Sequence, residues 1–98
     1  MDRNKVVLVG KLIERGELRL TPAGLPALNF RIAHLSDQTE AGKPRSVSLE
    51  LEGVALGEVA EKLGRANAEA EFRFEGFLAQ KSRLSRQTVL HVNKFDSI

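Results

Sequence analysis

The 98-residue sequence contains no cysteine, no tryptophan and no tyrosine, and only one methionine. Without cysteine it can form neither disulfides nor thiolate metal sites. Its aromatic rings are five phenylalanines, so any surface for stacking must come from few side chains. No apolar run approaches the ~20 residues that a bilayer span requires, and no charged-then-apolar leader is visible. The expectation is a cytoplasmic protein. Catalytic signatures are missing too: no nucleophile elbow, no phosphate-cradling glycine loop, no carboxylate pair in a catalytic setting. His34 and His91 fall on separate predicted strands without ligand spacing and read as structural residues. Neither enzyme activity, nor a metal, nor a cofactor is expected.

What is present fits one folded domain over residues 1–98. Hydrophobic residues make up 42% and charged residues 29%, a balance of globular rather than disordered chains. The length suffices for one small core. Net charge is only +2, but it is unevenly spread. Residues 46–64 hold Glu50, Glu52, Glu58 and Glu61 against Lys62, whereas residues 80–98 hold Lys81, Arg83, Arg86 and Lys94 against Asp96. Such polarity is what one basic binding face would produce.

Period-2 alternation marks the strands. Asn4 to Ile13 is β-branched and apolar, with Gly10 as a bend or bulge, and alternation runs on to Leu20 as one long bent strand. Thr21-Pro22-Ala23-Gly24-Leu25-Pro26 has turn chemistry. Ala27 to Ser36 is a second strand with Leu28, Phe30 and Ile32 in phase. Asp37 to Pro44 has the composition of an exposed loop. A third strand runs from Arg45 to Leu51, with Val47, Leu49 and Leu51 on one face, and ends at Gly53. From Val54 to Leu63 the period becomes helical, with Gly64 placed as a C-terminal cap.

The fourth strand starts at Glu71, with Phe72 and Phe74 alternating against charged neighbours, until Gly76 interrupts it as a bulge or bend. Between Gln80 and Gln87 only one leucine remains, and Lys81, Arg83 and Arg86 appear with no acid among them. Alternation resumes from Thr88 to Asn93 as the fifth strand. Five strands with one short helix between the third and fourth describe an all-β fold, the OB-fold Greek-key barrel. Its binding surface lies on strands 2 and 3 and the loops after strands 1 and 4. The loop after strand 4 is the basic segment, which suits a polyanion.

Phe30, Phe72 and Phe74 read as core. Phe77 follows the glycine and points either outward, as a stacking residue, or into the barrel. Phe95 belongs either to the core or to a dimer contact. Lys43 and Arg45 serve either DNA or the nearby Glu40 and Glu50, and Arg19 serves either DNA, Glu17 or a cross-strand acid.

Four segments, TPAGLPALNFRIAH (21–34), EAGKPR (40–45), EGFLA (75–79) and LSRQTVLHV (84–92), resemble the bacterial single-stranded-DNA-binding OB-folds. In detail they are most similar to the primosomal replication protein N (PriB) family, nearly end to end. The resemblance implies a homodimer that binds single-stranded DNA and helps reload the replicative helicase at stalled forks. It implies as partners the restart helicase PriA and the helicase-loading partner DnaT. The family's basic loop after strand 4 falls on Lys81, Arg83 and Arg86. Its loop between strands 2 and 3 falls on Lys43 and Arg45, and a basic position of strand 1 on Arg19. Two family aromatics fall instead on Ser48 and Lys43, and the loop after strand 4 is shorter. Binding is therefore expected to be weaker or more electrostatic, since a stacked base contributes ~1–3 kcal/mol.

Other readings stay open: a protein–protein OB module without nucleic-acid affinity, a general single-stranded-DNA-binding protein, and an RNA-binding OB-fold. General single-strand binders of bacteria carry a disordered linker and an acidic tip, which the ending Asn93-Lys94-Phe95-Asp96-Ser97-Ile98 does not show. That favours the restart role.

Overall fold

The computed structural model describes residues 3–98. Strands β1 (Val6–Arg15), β2 (Arg19–Leu20), β3 (Pro26–Glu40) and β4 (Lys43–Leu56) are followed by helix α1 (Glu58–Gly64). The hairpin β5 (Glu71–Gln80) and β6 (Thr88–Ser97) completes the chain. The sheet order is β1-β5-β6-β4-β3-β2, and a further β1–β3 pairing closes it into a barrel. This is the OB architecture. The short β2 separates from the long first strand expected from sequence, so the helix lies between β4 and β5, which are the third and fourth of the five long strands.

Closure depends on β1 changing partner. Val6–Lys11 pairs with β5, and Lys11–Arg15 pairs with β3 after a register shift between Leu12 and Glu14. Gly10 sits at the crossover, where a Cβ would run into the Ala33 carbonyl and the Ile32 side chain. Only a bare backbone lets the two strands come this close. The expected bulge at Gly76 is also present: the β5–β6 register shifts between Glu75 and Gly76. A Cβ there would collide with the His91 carbonyl.

Alternation on β3, β5 and β6 sends Leu28, Phe30, Ile32, Phe72, Phe74, Leu90 and Val92 into the barrel. The rings interlock: Phe30 stacks on Phe74 with centroids 6.3 Å apart, and Phe72 meets Phe74 and Phe95 edge-on at 5.9 and 5.5 Å. Phe95 thus packs against the core. Ala60 and Leu63 of α1 are buried in the same cluster, so the helix plugs one end of the barrel.

Several boundaries differ from the sequence reading. β3 and β4 run on as a paired ribbon to Glu40↔Lys43, so Asp37 to Pro44 is not a loop. The turn is only Ala41 and Gly42, both with positive φ (53° and 76°), as a type I′ hairpin turn requires. Gly53 does not end its strand, which continues to Leu56. It is needed because the Phe30 ring lies where its Cβ would be. The helix begins at Glu58 rather than at Val54, and Gly64 is its last residue rather than a left-handed cap. The Arg15 side chain closes that end instead, donating from Nη1 to the carbonyls of Leu63 (3.1 Å) and Ala66 (2.6 Å). One guanidinium thereby joins the Leu63 carbonyl, which also accepts from Ala66 N at 3.2 Å, to the Ala66 carbonyl just past the helix.

Candidate nucleic-acid interface

The β5–β6 hairpin ends in a seven-residue loop because Lys81 to Gln87 has no apolar alternation to extend the ladder. The loop is nevertheless ordered by its own hydrogen bonds. Lys81 N donates to Gln87 O (2.8 Å), Ser85 N to Ser82 O (3.2 Å) and Gln87 N to Ser85 Oγ (3.0 Å). Gln80 Nε2 donates to Ser85 O (2.9 Å). At the tip Leu84 is 99% exposed. Ser82, Arg83 and Leu84 border an open depression of about 520 Å³. Arg83 and Arg86 are exposed, and neither makes an ion pair among the described residues.

Lys81 differs. In the sequence it stands as an unpaired cation, but its Nζ lies 3.3 Å from Glu52 Oε2 on β4. The same carboxylate accepts a 2.8 Å bond from Gln87 Nε2. No acid near Lys81 in the chain signals this, because Glu52 is 29 residues away.

Glu52 belongs to a row of residues directly opposite one another, Glu14↔Arg31↔Glu52, across β1, β3 and β4. With Gly16, Asn29 and Phe30 they line a shallow depression of about 270 Å³. Arg19 on β2 reaches one of these lining residues, donating from Nη2 to Asn29 Oδ1 (2.7 Å). Its partner is therefore an amide rather than the acid weighed from sequence. Arg19 and the hairpin thus flank one face, the strand 2–3 face on which OB-folds bind oligonucleotides.

The next row on that outer face runs Asn29↔Val54↔His91↔Phe77 across β3, β4, β6 and β5. Phe77 is 40% exposed and lies flat on His91, with centroids 5.0 Å apart and planes 3° from parallel. It points outward, as one alternative had it, because it keeps the phase of Arg73 and Glu75, opposite to the buried Phe72, Phe74 and Gly76; the extra residue of the bulge is Asn93 on β6. His91, read from sequence as merely structural, is half of this stacked pair. Neither the phenylalanine nor the histidine carries a signal of the other in the chain.

Lys43 and Arg45 are not brought into this cluster. They sit at the ribbon end, where Arg45 Nη1 meets Glu40 Oε1 at 2.6 Å. Seven residues separate Arg45 from Glu52, roughly 23 Å along a strand. Ser48 faces Leu35 midway along the ribbon. Both border an opening of about 440 Å³ with Lys11, His34, Leu49 and Glu71. His34 is held there by Val9 O (2.7 Å) and Ser36 Oγ (2.8 Å). The described residues hold no cluster of three or more metal-ligating side chains, and none of their helices is long and apolar enough to cross a membrane.

A closed barrel with polar and basic groups on its strand 2–3 face defines the class: an OB-fold of the single-strand-binding type. Residues 4–94 match the profile described as "Another single-strand binding protein family". The chain is 41% identical over 92 residues to the replication restart protein PriB of Nitrosomonas europaea, covering 94% of this chain and 85% of that one. Its fold superimposes on PriB from Ralstonia solanacearum with a TM-score of 0.89 at 30% identity, over 99% of this chain and 100% of that one. The single-stranded DNA binding protein from Thermus aquaticus is also similar, with a TM-score of 0.75 at 26% identity over 98% of this chain and half of that one. The chain belongs to the single-strand binding protein family, and within it to the replication restart protein PriB group.

Proposed function

We propose that this chain is a non-catalytic single-stranded-DNA-binding subunit of the replication-restart primosome, working as one OB domain over its 98 residues. The observation that carries the reading is the hairpin tip, where Arg83 and Arg86 are exposed around a fully exposed Leu84 on the side of the strand 2–3 face. DNA phosphates run past the arginines, and Arg19 meets the strand at the opposite rim. Phe77, stacked on His91, offers a flat surface for a base. Lys43 and Arg45 extend the contact along the ribbon. The order of bases is not read, because phosphate contact and stacking are both indifferent to it.

As the family resemblance implies, the protein bridges DNA to the restart helicase PriA and the loading partner DnaT, in the cytoplasm and as a homodimer. The exposed row Val7, Val9 and Ile13 on β1 supports a second copy. A protein–protein OB module without DNA affinity is the second reading. It is favoured by Ser48 and Lys43, which stand where relatives carry aromatics.

The test is fluorescence anisotropy of a labelled oligothymidine, titrated over a range of salt concentrations. Arg83→Ala/Arg86→Ala should lower the log–log salt slope by about 1.4, at ~0.7 per phosphate on single strands. If wild-type protein fails to bind at low salt, the DNA role falls and the partner module stands.

A further inference from the structure

The hairpin carries three cations, but they are not equivalent. Lys81 stands at the root of the loop, where its backbone N–H bonds to Gln87 O and closes the hairpin mouth. Its ammonium lies 3.4 and 3.3 Å from the two Glu52 oxygens. Gln87, the last residue of the loop, donates from Nε2 to Glu52 Oε1 at 2.8 Å. One carboxylate on β4 therefore holds both feet of the loop. The Glu52 side chain is only 14% exposed. A carboxylate so placed is weakly screened and is costly to leave unpaired.

We infer that Glu52 is a positioning residue that ties the loop to β4 and withholds Lys81 from DNA, leaving Arg83 and Arg86 as the phosphate contacts of the hairpin. This rests on the DNA-binding reading above. The physical reason is competition. A phosphate reaching Lys81 must displace a carboxylate that is already in place, largely shielded and additionally bonded to Gln87. The arginines farther out have no such rival among the described residues. Lys81 then acts as a strut. It fixes the direction in which the tip points, and its charge is cancelled before DNA arrives. The row Glu14↔Arg31↔Glu52 supports the same assignment. Arg31 pairs with Glu50 at 3.5 Å, so Lys81 and Gln87 are the side chains that answer Glu52.

Glu52→Gln separates the two roles, since the amide oxygen can still accept from Gln87 while Lys81 is released. Salt-dependent anisotropy on oligothymidine should show Lys81→Ala with the wild-type slope. Glu52→Gln should be steeper by about 0.7, equivalent to an extra ~2.6-fold loss of affinity between 50 and 200 mM salt. Glu52→Gln/Lys81→Ala should return to the wild-type slope. A purely structural role for Glu52 would shift thermal stability in the single variants but would not produce this pattern of slopes. Glu52→Ala should also accelerate amide exchange at Lys81, whose N–H closes the loop. A slope that falls by about 0.7 in Lys81→Ala and does not change in Glu52→Gln would place Lys81 on a phosphate and overturn the inference alone. No wild-type binding at low salt would remove the DNA reading and this inference with it.

Discussion

Two hairpins carry most of the basic residues discussed above, and they are built in opposite ways. The β3–β4 ribbon is paired to its last residue, Glu40↔Lys43, and reverses in two residues. The β5–β6 hairpin stops pairing at Gln80↔Thr88 and opens into seven loop residues. On the ribbon the ladder brings acid and base together, so Arg45 is answered at once by Glu40. In the loop the register no longer dictates neighbours, and Arg83 and Arg86 remain exposed around Leu84. A ladder neutralises its charges locally, whereas a loop can present them.

Filling one glycine in each hairpin should give the largest difference. Gly76 sits opposite Val92 at the register shift of the β5–β6 ladder, and Gly76→Ala would drive a methyl into the His91 carbonyl. Overpacking of this kind costs about 2–3 kcal/mol, which lowers the melting temperature of a domain this size by roughly 10–20 °C. Gly42→Ala at the ribbon tip meets no atoms within 4 Å and carries only the left-handed penalty, about 1–2 kcal/mol, spent largely on local fraying. Thermal melts of both variants check the contrast. Equal losses would mean that the β5–β6 ladder can relax around a side chain.

A smaller difference should appear in DNA binding. Arg86→Ala removes an exposed charge and should reduce the salt slope by about 0.7. Arg45→Ala removes a charge already paired with Glu40, so its slope should change by less than half as much. Surface pairs of this kind contribute roughly 0–1 kcal/mol, so stability should hardly move in either variant. Anisotropy titrations at matched salt decide it. Equal slope changes would show that the Glu40–Arg45 pair opens when DNA binds, and the geometric distinction between the hairpins would not carry over to function.

The contrast also explains which parts were legible in the sequence. Phe72 and Phe74, then Gly76, then a return to alternation at Thr88, all declare themselves within a few residues, because strand phase is local. The basic tip was legible for the same reason. The ribbon was not: Asp37 to Pro44 is polar on both faces, and its strand character comes from the partner strand rather than from buried side chains. Val54 to Leu56 is apolar in a way that fits either period, so the helical pattern extends back to Val54 although the helix itself begins at Glu58. The remaining misses are all long-range. Glu52 reaches Lys81 because β4 and β6 lie side by side. Arg15 caps a helix 48 residues away. Phe77 finds His91 only because β5 and β6 pair with these two residues opposite each other. In each case a local pattern names the residue but not its partner.

The least change should come from improving the ribbon turn. Ala41 adopts φ 53° ahead of Gly42 at 76°, a pair of positive values that type I′ turns usually give to Asn-Gly. Alanine has no local hydrogen bond to offset the crowding of its Cβ, whereas asparagine tolerates this region. Ala41→Asn should therefore tighten the turn by about 0.5–1 kcal/mol, within the left-handed penalty that alanine now carries. Because the ribbon end is exposed and can fray without unfolding the barrel, the gain belongs in local opening rather than in the global melt. Amide exchange at Gln38 and Arg45, which face each other across the ribbon, should slow by roughly 2–5-fold. The DNA salt slope should stay at the wild-type value, since no charge has moved. A slope altered by this substitution would mean that the ribbon end shapes the DNA path through its rigidity, and the division of labour between the two hairpins would have to be redrawn.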